Sequence, residues 1–212
     1  IWHEDTFLEL HRKRLRLAHA VLLQAPEGTG VFEFSLAWAE ALLCESLTPE
    51  GAACGVCVAC NWFRAGSHPD FRLVQPDSHV QEVDADAEEG TPRLTARERE
   101  KKSDQIRIDQ VRELQSFLTV GTHRAGRRVL LLHPADAMNP ATQNALLKNL
   151  EEPVEGTVFL LATSRPHRLL PTVRSRCQRV SLPPPDAAIS LQWLQDQSVE
   201  YPEALLAMAG GA

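Results

Sequence analysis

Apolar residues in this chain come in two kinds of segment that alternate along its length. Short unbroken runs stand at residues 19–25 (HAVLLQA), 71–75, 128–132 (RVLLL), 157–162 (TVFLLA) and 177–182, and each is bounded by Pro, Gly or charged residues. Runs of this length and composition predict buried β-strands. Between them lie stretches with helical apolar spacing. Residues 5–17 interleave basic residues with Leu8, Leu10, Leu15 and Leu17, and residues 32–44 carry few β-branched side chains. Residues 108–118 repeat Ile108, Val111, Leu114 and Leu118, and residues 140–150 run up to Glu151-Glu152-Pro153, where a helix must stop. Strands that alternate with helices predict an α/β fold: a parallel sheet with helices on both faces, in three layers.

Two regions break the alternation. Residues 76–104 hold few large apolar groups, an acidic block and then a mixed-charge block, Arg97-Glu98-Arg99-Glu100-Lys101-Lys102. This composition predicts a solvated, disordered excursion from the main domain. Pro183-Pro184-Pro185 then marks a boundary, so that residues 1–182 form the principal domain. Helical spacing at 187–195 and 202–209 predicts the start of a small helical domain over 183–212, incomplete as it stands.

Composition narrows the picture little. Of the 212 residues, 43% are hydrophobic and 24% charged, the mix of a soluble globular chain. The net charge of −6 comes from one place. Residues 77–90 carry Asp77, Glu82, Asp84, Asp86, Glu88 and Glu89 with no Lys or Arg, and the rest of the chain balances to zero. A near-neutral fold without basic–aromatic interleaving speaks against a zinc-dependent nucleic-acid-binding module as the main role. No apolar run approaches the ~20 residues of a membrane span. The first residues, Ile1-Trp2-His3-Glu4-Asp5, lack the pattern of a secretory signal, and the expectation is a cytoplasmic protein.

Cysteine placement is more informative. Four of the five cysteines, Cys44, Cys54, Cys57 and Cys60, fall within residues 44–60. Two-residue gaps let neighbouring thiolates converge on one ion, and the longer gap lets the preceding helix deliver the fourth. Four thiolates suit tetrahedral zinc and leave no coordination position for water, so the expected site is structural. An iron–sulfur cluster would call for a different spacing and a trailing proline. A CxxC redox pair would leave Cys44 and one other cysteine unexplained. His68-Pro69-Asp70 follows soon after and reads as a turn entering the next strand.

Between the first strand and its helix lies Gln24-Ala25-Pro26-Glu27-Gly28-Thr29-Gly30-Val31-Phe32, where a phosphate-binding loop of the form GxxxxGK[ST] would sit. Such a loop cradles phosphates with backbone N–H groups, reaches the β and γ oxygens with Lys, and binds Mg²⁺ with its hydroxyl. Gly28 and Gly30 are present, but Val31 stands in the lysine position and Phe32 in the hydroxyl position. The third strand runs into His133-Pro134, with no carboxylate before Asp136 to hold a metal ion. Both halves of nucleotide chemistry are missing together, so no productive ATP binding is expected.

Residues 144–153 (NALLKNLEEP), 159–163 (FLLAT) and Ser175-Arg176-Cys177, with the four-cysteine module and His68-Pro69-Asp70, resemble the bacterial clamp-loader subunits, AAA+ proteins of the DNA polymerase III holoenzyme. The resemblance runs over residues 18–195. Motor subunits of that group keep the loop lysine and the acidic pair; loss of both at Val31 and at His133-Pro134 points to the delta-prime branch. That branch continues into a helical collar domain, which is absent here, and the expectation is a fragment of a longer protein.

The resemblance implies an AAA+ domain with a small helical lid, and a stator without catalytic activity of its own. Its implied partners are the tau/gamma motor subunits and the delta subunit, with the sliding clamp and primed DNA reached through the complex. It also implies that Arg176, flanked by Ser175 and Cys177, acts as an arginine finger toward ATP bound in the adjacent subunit. Taken without the resemblance, Arg176 reads as a surface ion-pair residue, Cys177 as a small buried one, and Thr163 as a hydroxyl that satisfies local backbone. Lys148, Glu151 and Glu152 are candidate subunit contacts. The alternative function is a divergent but active motor that binds nucleotide through other groups.

Overall fold

A computed structural model describes residues 2–79, 103–119, 122–123 and 126–209. Five strands, β1 (Ala20–Gln24), β2 (Phe71–Val74), β3 (Arg128–Leu132), β4 (Thr157–Thr163) and β5 (Gln178–Ser181), form one sheet in the order β2-β3-β4-β1-β5. All four pairings are parallel, with Leu22 opposite Leu161 and Leu130 opposite Phe159 at the centre. Every residue of β3 and β4 is buried, whereas the edge strands β2 and β5 are only partly so. A strand covered on both faces can be apolar throughout, which is why the central runs are continuous.

Alternate residues of each strand feed two separate cores. Leu22, Leu130, Leu132, Phe159 and Leu161 pack on one face, with helices α4 (Ile108–Thr119) and α5 (Pro140–Glu151) and the short α6 (Pro171–Arg174). Val21, Leu23, Val129, Leu131 and Leu160 pack on the other, with α1 (Glu4–Arg12) and α2 (Val31–Leu43). The expected helix–sheet–helix layering is present. Phe7 of α1 meets Trp38 of α2 edge-on at 5.1 Å, and Leu10 is buried beside it.

The leading helix is shorter than its pattern predicts. It ends at Arg12, and Arg14–Arg16 form a single 3-10 turn. Leu15 is 92% exposed, so its place in the apolar series is accidental, while Leu17 turns in toward the core. Helix α3 (Val58–Arg64), inside the cysteine-rich segment, was not legible from its spacing because seven residues are too few to show a period. Most of the predicted excursion, 80–102, lies outside the described residues. Its described ends meet, with Ser78 N–H donating to the Ser103 carbonyl at 3.2 Å and Arg107 ion-paired with Asp77.

Helix α5 starts where its sequence says it should. The Asn139 side chain accepts from the Thr142 N–H at 2.9 Å, and Pro140 occupies the first turn. It ends at Glu151, two residues before Pro153. Beyond the sheet, α7 (Ala187–Asp196) and α8 (Pro202–Met208) pack on each other. No helix among the described residues is long and apolar enough to cross a membrane.

Candidate functional site

The four cysteines converge as their spacing predicts. Cys44 is the residue on which α2 ends, Cys57 caps α3 and Cys60 lies in its first turn, with Cys54 in the loop between. Their sulfurs lie within 4.8 Å of one another, and Cys44 Sγ and Cys57 Sγ are 3.9 Å apart. A tetrahedron with Zn–S bonds of about 2.3 Å has edges of about 3.8 Å, so the donor set fits the ion. Backbone N–H groups of Ser46 and Cys54 donate to Cys44 Sγ at 3.4 and 3.3 Å, and those of Cys57 and Cys60 donate to Cys54 Sγ and Cys57 Sγ at 3.4 Å. Donors of this kind stabilise thiolates and orient the ligands. Burial would raise the Cys57 thiol, yet hydrogen bonds from backbone and neighbouring thiols bring it down to about 6; Cys44 and Cys60 are pushed up, chiefly by burial.

These residues constitute a structural zinc site. Arg64 fastens the module to the fold, reaching the Gly55 carbonyl at 3.0 Å and Glu40 of α2 at 3.4 Å. His68 stays out of it. The His68 Nδ1 accepts from the Asp70 N–H at 3.1 Å within the turn before β2, as the turn reading predicts.

The altered phosphate loop lies at the C-terminal edge of the sheet, between β1 and α2. Gly28 and Gly30 take φ values of +85° and +82°, and Gly30 caps α2, so the turn keeps the backbone path that needs glycine. Its contents are different from those of a working loop. Val31 is buried in the core, and the Phe32 ring stacks on His133 with centroids 4.4 Å apart. Trp2 Nε1 donates to the Thr29 carbonyl at 3.0 Å, and His3 Nε2 lies 3.0 Å from the same oxygen. Neither cover residue could be placed here by spacing, since both come from an element more than 25 residues upstream.

A cavity of about 1200 Å³ opens at this edge, lined by Glu27, Glu33, Asp104 and Asp136 as well as by Arg165 and Arg168. Glu27 engages Arg165 at 3.0 Å. Carboxylates on the wall and an aromatic stack in the loop are a poor environment for a triphosphate. Thr163, expected to serve local backbone, does accept the Arg165 N–H at 2.9 Å, but its hydroxyl also donates to Asp136 Oδ1 at 2.5 Å. Sequence reading missed that second bond because Asp136 arrives from a different strand end.

Burial holds the His133 imidazole below its ordinary pKa, and His79 adds to the effect while Glu33 and Asp136 oppose it. A depressed folded-state pKa means stability that is complete above the unfolded value of about 6.5 and lost as pH falls below it. Moving from pH 7.5 to 5.5 is therefore expected to lower the urea midpoint more in the parent chain than in His133→Phe, measured side by side.

Arg176 lies in the short connection between α6 and β5. One guanidinium nitrogen donates to the Thr172 carbonyl at 2.9 Å, and the other is 2.5 Å from Glu151 Oε1. The ion-pair reading of this residue is thus realised within the chain. Cys177 is buried, and burial raises its thiol to about 11, which suits an inert packing residue. Ser175 only closes its own turn, donating to the Thr172 carbonyl at 3.1 Å.

The parallel sheet, its covering helices and the cysteine module are consistent with an AAA+-like clamp-loader fold. A gamma subunit-related protein of DNA polymerase III from Thermotoga maritima superimposes with a TM-score of 0.57 at 24% identity, over 89% of this chain and 48% of that one, a likeness of fold. Residues 5–186 match the family described as DNA polymerase III, delta subunit, and the chain belongs to that family. It is 42% identical over 203 residues to the DNA polymerase III subunit delta' of Pseudomonas aeruginosa, covering 94% of this chain and 55% of that protein. It is 35% identical over 190 residues to the Escherichia coli subunit delta', covering 89% and 49%. The tau subunit of Bacillus subtilis is similar at 30% identity over 77% of this chain and 24% of its own length. The chain spans about half the length of the delta' relatives.

Proposed function

We propose that this chain is the sheet-bearing portion of a delta-prime subunit, a stator that takes part in loading the sliding clamp during DNA replication without turning over ATP itself. The observation that carries the reading is the state of the phosphate loop: glycines at 28 and 30 keep the turn, while Val31 is buried and Phe32 is stacked on His133. A loop lysine has no counterpart at either position. Residues 1–182 are the AAA+ domain in this reading, and α7 and α8 begin the helical lid over 183–212, with Trp193 set edge-on against Trp2 at 5.5 Å above the altered loop.

In this reading Arg176 serves the ATP site of an adjacent motor subunit. It is partly exposed, it is at the sheet's boundary, and a planar guanidinium can donate to two phosphate oxygens at once. Zinc fixes the segment between α2 and α3 and takes no part in hydrolysis. The partners are tau/gamma motors and the delta subunit, with clamp and primed DNA engaged through the assembly.

Calorimetric titration with Mg-ATP tests the stator reading against an active, divergent motor. No binding at millimolar nucleotide is the expected result. Micromolar binding abolished by substitution in the 26–32 loop would establish the motor instead.

A further inference from the structure

We propose that Glu151 is the positioning residue for Arg176, setting the direction in which the guanidinium leaves this subunit. The inference rests on the proposed role of Arg176 and deepens it. The backbone at Arg176 is held by its own N–H, which donates to the Val173 carbonyl at 3.1 Å. Its side chain extends away to Glu151, which closes α5, one of the most firmly held elements of the fold. The Asn139 cap fixes one end of that helix, and Leu146 and Leu150 are fully buried in the sheet face. His19 Nε2 adds a bond to the Leu150 carbonyl at 2.9 Å, tying the residue before Glu151 to the start of β1.

The contact geometry suits aiming. The two terminal nitrogens of Arg176 are held from different elements, by Thr172 of α6 at 2.9 Å and by Glu151 of α5 at 2.5 Å. Two anchors on a planar group fix its plane as well as its position. A guanidinium has five N–H donors, so three stay available for an incoming anion. The carboxylate also reinforces the negative C-terminal end of α5, which draws a cation to this spot. Both side chains remain partly exposed, 35% for Arg176 and 48% for Glu151, and an ion pair so wet orders a side chain without locking it away from phosphate. Small errors in the placement of a group that acts in the transition state can cost up to about 10²-fold in rate.

The test is single-turnover ATP hydrolysis by the clamp loader reconstituted with the full-length subunit carrying Glu151→Ala, Glu151→Gln, Arg176→Ala or both alanines. Glu151→Ala is expected to slow the served site by about tenfold with ATP affinity unchanged, in line with the cost of misplacement. Glu151→Gln, which keeps an acceptor, should recover part of the loss. In the double variant the rate should equal that of Arg176→Ala alone, because a positioning residue has nothing left to position. A normal or faster rate in Glu151→Ala, or losses that multiply in the double variant, would overturn the proposal while leaving the finger role of Arg176 intact. Full activity in Arg176→Ala would remove the finger reading and the inference with it. An equal loss in Glu155→Ala, an exposed acid of the following turn, would reduce the effect to general charge and also overturn it.

Discussion

Replacing Arg176 with alanine is expected to leave folding and assembly intact and to slow hydrolysis at one ATP site of the complex by about 10³-fold or more, the range that arginine fingers supply. Total steady-state turnover should fall by less, because the proposed role confines the loss to a single ATP site. The informative measurement is therefore a quench-flow burst: the fast phase should lose the amplitude of a single site. Lysine at 176 should not restore it, since an ammonium is a point donor without the planar fork. Inside the subunit the substitution removes only a half-exposed ion pair and one bond to the Thr172 carbonyl. Such contacts are worth about 0–1 kcal/mol, so the thermal midpoint should barely move. An unchanged burst would remove Arg176 from the mechanism.

Metal removal should produce the largest structural effect. Apolar anchoring of the segment from Cys44 to Arg64 is limited: Leu47 and Phe63 pack partly on the core, Phe63 against Phe71 at 4.6 Å, and Cys44, Ala59 and Cys60 are buried, while Val56 and Val58 are exposed. Binding energy at such a site is folding energy for the segment it closes, about 10–16 kcal/mol for zinc-finger peptides. Cys57→Ser, or a strong chelator, is expected to abolish hydrogen-exchange protection at the Cys54, Cys57 and Cys60 amides, which now donate to thiolate sulfurs. The sheet should survive, because its two cores are built from other elements. Metal analysis of the parent should give about one zinc per chain, the ratio that four tetrahedral ligands require. Cobalt substitution should show the spectrum of tetrahedral thiolate coordination. Retained protection after metal removal would show that packing alone holds the module.

Much of this architecture was legible in the order of residues. Continuous apolar runs announced β1, β3 and β4 because a strand buried on both faces has no polar side to display. Cys54, Cys57 and Cys60 declared a metal site because two-residue gaps bring thiolates onto one ion. The replaced phosphate-loop residues could be read at Val31 and Phe32, and the missing carboxylate at His133, since each is a matter of residue type at one position after β1 or β3. Local chemistry of this kind needs no knowledge of the distant chain.

The remaining features depend on residues far apart. Trp2 and His3 reach the Thr29 carbonyl, Thr163 bonds Asp136, and Glu27 meets Arg165, in each case across 26 residues or more. Nothing in the periodicity of either partner records such a meeting. Strand order is of the same kind: β1 lies between β4 and β5, a neighbourhood set by how the crossover helices cover both faces. Residue types and short spacings therefore determined the strand segments, the metal ligands and the replaced positions of the phosphate loop, because each is local to its own stretch of chain. Only the tertiary structure decided that Glu151 faces Arg176, because that pairing exists only once α5 and the α6–β5 connection are packed on the same sheet.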